Sequence, residues 1–95
     1  MRTDYNDNLT EIYKNYGQKE QQNKLVEECA ELIQAIVKRN TENFIEELAD
    51  VIVLVDQFLL MNPSLYKKLT ELKHIKAQRQ VDRIFENKLK EETKR

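Results

Sequence analysis

Only two residues in this 95-residue chain can interrupt a helix by their own backbone chemistry: its single glycine, Gly17, and its single proline, Pro63. Glycine tolerates the left-handed conformations that end helices, and proline lacks the N–H that a helix interior needs. A sheet protein would need many turns, and glycine and proline are prominent among the residues that make them. Charged residues make up 35% of the chain, with Glu, Lys, Leu and Gln abundant, which is a helical composition. The chain therefore reads as one all-α domain over residues 1–95, with residues 1–7 and 92–95 frayed.

Four helices are expected, one short and three longer. Asn8-Leu9-Thr10-Glu11 has the form of a capping box, and Leu9, Ile12, Tyr13 and Tyr16 then mark one face of a short helix that Gly17 stops. The second helix spans about 18–39. Leu25, Val26, Cys29, Ala30, Leu32, Ile33, Ile36 and Val37 fill an apolar arc of about 160° at 100° per residue. Thr41 is the expected N-cap of a third helix, about 42–61. Pro63 suits the first position of a fourth, ending near Glu91, with Leu65, Leu69 and Leu72 starting its buried stripe. The second half of the third helix (Val51–Val55, Phe58, Leu59, Leu60) is apolar nearly all round. So small a bundle can hardly enclose such a helix by itself, and a homo-oligomer is expected.

Two acidic motifs carry the chemistry. Residues 25–37 read LVEECAELIQAIV and residues 44–55 read FIEELADVIVLV. Glu28 and Glu31 lie three residues apart on one helix, about 60° apart in projection, as do Glu47 and Asp50 on the next. If the helices run antiparallel, the four carboxylates converge. Such a cluster repels itself unless a cation sits in it, and hard divalent ions prefer oxygen ligands, which points to Mg²⁺. On the wheel Glu28 borders its apolar arc, Glu31 is more open, and Glu47 falls between Leu54 and Phe58, where an unpaired carboxylate is costly. Asp56 also falls between apolar neighbours and needs a partner. Glu27 and Glu46 sit further round, as outer groups or surface residues. Lys24 and Lys38 point near the acidic face of the second helix. Lys76, Arg79 and Arg83 continue the apolar stripe of the fourth helix; they either meet phosphate or pair with glutamates. Tyr16 is a packing residue or a base-stacking one.

Other chemistries fit poorly. Di-iron bundles use Glu-x-x-His pairs, and the chain has one histidine, His74. Zinc would want histidine or cysteine, and Cys29 is the sole cysteine, read as a small core residue. One glycine makes no phosphate-cradling loop. A net charge of −1 gives no field for stable nucleic-acid binding. No apolar run approaches signal-peptide or membrane-span length, so a cytoplasmic protein is expected.

The motifs Glu27-Glu28-Cys29-Ala30-Glu31 and Glu47-Leu48-Ala49-Asp50, in their apolar frames, resemble the EExxE and ExxD marks of the MazG-like all-α nucleoside triphosphate pyrophosphatases, over roughly residues 9–85. The chain is most similar to short single-domain members. The resemblance implies a four-helix bundle-like MazG fold assembled as a homodimer or homotetramer. It implies hydrolysis of a (d)NTP between the α and β phosphates, giving a monophosphate and pyrophosphate in nucleotide-pool housekeeping. Glu28, Glu31, Glu47 and Asp50 would be the Mg²⁺ ligands and catalytic carboxylates, with Mn²⁺ a possible substitute. Beyond what the resemblance carries over, Glu27 and Glu46 are read as outer groups, Lys38, Lys76, Arg79 and Arg83 as phosphate contacts, and Tyr16 and Asn23 as the base or sugar contacts to test first. Two alternatives stay open: a non-catalytic helical interaction module, and a degenerate member that binds nucleotide without cleaving it.

Overall fold

The computed structural model describes residues 4–93, and among them every regular element is a helix: α1, Tyr5–Val37; α2, Thr41–Met61; and α3, Pro63–Thr93. Three helices replace the four expected. The difference lies at Gly17, whose φ 85° and ψ 166° are non-helical: two helical stretches meet at a kink there and together make up α1. That region of backbone space is essentially reserved for glycine. Gly17 therefore interrupts the helical backbone where the short helix was expected to stop, and the chain kinks there. The bend matters for packing. In a straight helix Tyr5 would lie about 24 Å beyond Gln21 along the axis, at 1.5 Å per residue. Instead its hydroxyl donates a 2.8 Å hydrogen bond to Asp56 Oδ2 on α2, which supplies the partner that Asp56 needed.

The ends of the elements shift by small amounts for local reasons. The capping box at Asn8 is not used. α1 starts a turn earlier with Asp4 as N-cap, and the Asn8 N–H donates to the Asp4 carbonyl at 2.9 Å. The first turn carries Asp7, whose charge favours a helix N-terminus. Of the segments expected to fray, residues 5–7 and 92–93 are helical, and residues 1–3 and 94–95 lie outside the described residues. At the other end of α1, Arg39 adopts φ 56° and the Asn40 N–H returns to the Ala35 carbonyl at 3.2 Å, a Schellman-type closure. This leaves Asn40 extended, so Asn40 and not Thr41 caps α2: its side chain accepts from the Asn43 N–H at 3.2 Å.

The chain divides into two compact units, Met1–Pro63 and Ser64–Arg95. The first is the α1–α2 hairpin. Its buried residues are Leu9, Ala35 and Leu54, with the polar Gln21, Glu28 and Gln57. On α1, Gln21, Glu28 and Ala35 recur every seven residues, flanked by half-buried Leu25 and Leu32. The seam facing α2 is thus centred on Glu28, not on the apolar arc. That arc is wider than one antiparallel neighbour can cover, so α2 takes its edge. Val26, Ile33, Ile36 and Val37 on the far flank stay exposed, Val37 to 74%, and on α2 Ile45 and Ile52 do the same. In the second unit no described residue of α3 is buried: Leu65 and Leu72 are exposed and Leu69 is half-buried. The stripe expected to be buried is thus not enclosed within its own unit.

Candidate metal and nucleotide site

The antiparallel hairpin brings one motif against the other. Carboxylate oxygens of Glu28, Glu47 and Asp50 all lie within 4.8 Å of one another. Glu28 comes from the centre of the α1 seam and is 6% exposed; Glu47 is half-buried and Asp50 exposed. The cluster is therefore closed on the hairpin side and open on the other. Glu31, on the exposed side of α1, acts on Glu47 directly. Burial first, then Glu31 and Glu28, push the Glu47 carboxyl up to about 7 from an ordinary 4.5. Two carboxylates can share a hydrogen bond only if one keeps its proton, so a raised affinity for protons is how the cluster relieves its own repulsion.

Two oxygens in this group, Glu28 Oε2 and Glu47 Oε2, are buried and have no hydrogen-bond partner. Leaving a buried polar group unpaired costs about 1–3 kcal/mol, and more when it is charged. Glu28 Oε1 is met by Lys24 Nζ at 3.2 Å, and the same ammonium lies 3.7 Å from Glu27. Glu28, then Glu27, raise the lysine's affinity for its proton. One lysine does not neutralise four carboxylates. The donor set consists of oxygens only, two of them orphaned, and it fits a hard divalent cation.

The remaining expected site residues scatter. Glu27 is exposed and pairs with Lys24; Glu46 is exposed. Lys38 is the C-cap of α1, ten residues past Glu28 and so about 15 Å away along the axis, too far to serve the cluster. Lys76, Arg79 and Arg83 are exposed on α3 in the second unit, as is His74. Asn23 is exposed on the side of α1 turned away from Glu28. Tyr16 lines a cavity of about 490 Å³ within the first unit, together with Ile12, Gln21, Lys24, Glu28, Asp50 and Gln57. Sequence reasoning missed Gln21 and Gln57. The available signal was a glutamine inside the apolar run VIVLVDQFLL, and another one heptad before Glu28.

The sequence pattern of the phosphoribosyl-ATP pyrophosphohydrolase family matches residues 1–74. The chain belongs to that family, which lies within the MazG-like all-α NTP pyrophosphatase superfamily. The match covers both acidic motifs and the whole hairpin and ends within α3, before Lys76, Arg79 and Arg83. Neither a curated protein nor a solved structure matches the chain. Family membership makes the domain a pyrophosphohydrolase acting on nucleotides. No helix among the described residues is long and apolar enough to cross a membrane.

Proposed function

We propose that the protein is a Mg²⁺-dependent nucleotide pyrophosphohydrolase that cleaves a (d)NTP between its α and β phosphates, releasing a monophosphate and pyrophosphate in the upkeep of nucleotide pools. One observation carries the reading: two buried, unpartnered carboxylate oxygens in a cluster whose residues come from both acidic motifs. Glu28, Glu31, Glu47 and Asp50 would hold the cation, with Mn²⁺ able to replace it. A divalent ion bound there supplies charge neutralisation for phosphate oxygens and acidity for a bound water. The chain's own contribution is placement. Glu28 and Glu47 fix the closed side of the cluster, Glu31 and Asp50 leave the other side open to phosphates, and Lys24 compensates the charge left on Glu28. Self-association completes the reading, because the exposed flanks of α1 and α2 suit a second copy of the chain.

A second reading concerns the substrate alone. The family is described by its action on phosphoribosyl-ATP, and the match spans both motifs. The test is therefore a panel of NTPs, dNTPs and phosphoribosyl-ATP, incubated with Mg²⁺ and assayed for pyrophosphate. Release from several NTPs supports pool housekeeping, and release from phosphoribosyl-ATP alone supports the narrower role. With no release from any of them, the hydrolase reading fails. Glu47→Gln and Asp50→Asn should each abolish release while circular dichroism shows unchanged helix content. Normal turnover in both variants would remove the cluster from the site.

A further inference from the structure

We infer that Gln57 reads the nucleobase: its carboxamide pairs with a base edge that presents a hydrogen-bond donor beside an acceptor, two helical turns from the carboxylate cluster. Gln57 is 0% exposed, yet neither its Nε2 nor its Oε1 has a hydrogen-bond partner. A carboxamide offers two donors and an acceptor in one plane, and buried polar groups are almost always satisfied. An amide with both ends unpaired beside a cavity can pair with a ligand that enters that cavity.

The position says what that something is. Gln57 lines the same cavity as Glu28 and Asp50. On α2 it lies seven residues after Asp50, on the same face and about 10 Å further along the axis. On α1 Gln21 stands in the same relation to Glu28, and it too is buried and lines the cavity. The cavity therefore has an acidic end and an amide end, separated by about the length of a nucleoside, with Val53 and Leu54 between them on α2, and Ile12 and the exposed Tyr16 also line it. Phosphates suit the acidic end once a cation is bound. The flat, polar-edged part of a nucleotide suits the other.

The inference rests on the hydrolase reading, and its test separates the two. Calorimetry with Mg²⁺ present would compare three ligands: inorganic tripolyphosphate, a nucleoside triphosphate, and a triphosphate whose base is replaced by a hydrocarbon ring of the same shape. Wild-type protein should bind the natural nucleotide about tenfold more tightly than the hydrocarbon analogue, the loss expected when a buried amide is left unpaired. Gln57→Met, which keeps length without hydrogen bonding, should bind the two alike and leave tripolyphosphate affinity unchanged. Equal binding of both nucleotides by wild type, or an unchanged preference in Gln57→Met, overturns the role of Gln57 and leaves the hydrolase reading intact. Failure of all three ligands to bind overturns both. Light scattering on the variant covers the remaining alternative: a changed oligomeric mass with an unchanged base preference would make Gln57 an assembly contact instead.

Discussion

Glu47 is where charge and burial meet in one side chain. Its carboxyl is held near 7, above the ordinary 4.5, because burial and the neighbouring Glu31 and Glu28 disfavour its charge. A raised carboxyl pKa means that the folded state binds the proton more tightly than the unfolded state. In the metal-free protein the associated stability is fully present below about pH 4.5 and is lost as pH rises through 7. A divalent cation reverses the preference, since it needs the ionised form. Mg²⁺ should therefore bind about tenfold more tightly near pH 8 than near pH 6, and should displace a proton as it binds. Calorimetry in two buffers of different ionisation enthalpy reads both effects, and a pH-independent affinity without proton release would contradict this account of the cluster. Glu47 was legible in the sequence because a carboxylate on an apolar stripe is conspicuous. Gln57 was not, because an uncharged amide in an apolar run raises no comparable alarm until its burial is seen.

At the scale of an element, the bend in α1 decides the most. Gly17 holds φ 85° and ψ 166°, and nothing lies within 4 Å of where a Cβ would sit. The obstacle to another residue is the backbone conformation alone. Alanine also prefers helix by about 1 kcal/mol over glycine, so Gly17→Ala would pull α1 straight. Straightening would separate Tyr5 from Asp56 and lift Leu9 and Ile12 from α2. Forcing a side chain into this region costs about 1–3 kcal/mol, a fall in Tm of the order of 10 °C for a domain this size. Thermal melting monitored by circular dichroism checks it, and an unchanged melting temperature would show that the bend carries no packing. The sequence located this bend, since the chain has one glycine, but its direction follows from tertiary contacts such as Tyr5–Asp56 that no local pattern encodes. The limits at 61 and 63 were readable because Asn62 and Pro63 punctuate them locally, whereas those at 37 and 41 were expected at about 39 and 42 and are set by the left-handed Arg39 and the Asn40 cap.

The whole molecule leaves more apolar surface uncovered than a finished fold tolerates. Val26, Ile33 and Val37 on α1, with Ile45 and Ile52 on α2, are all exposed, and apolar faces left open in this way mark interaction surfaces where they join into patches. The protein should therefore run in solution as a dimer or tetramer of its 11.4 kDa chain. Multi-angle light scattering across a dilution series measures this, and a constant single-chain mass would remove the homo-oligomer from the account. Fold class was readable from composition, and the pairing of the acidic motifs from their spacing. The face of each helix that is buried was not. Helical periodicity reports how wide an apolar face is, but not which strip of it the first neighbour occupies. Here α2 took the strip that contains Glu28.

The distance between the two ends of the cavity has a consequence for how such a protein can change over generations. The carboxylates that would do the chemistry and the amide that would choose the base stand on the same helix faces, two turns apart. Neither group supports the other directly. Substitutions at one end can alter which compound is recognised while the breaking of the phosphoanhydride goes on as before. A hairpin laid out in this way gives its lineage a fixed reaction and a freely variable appetite.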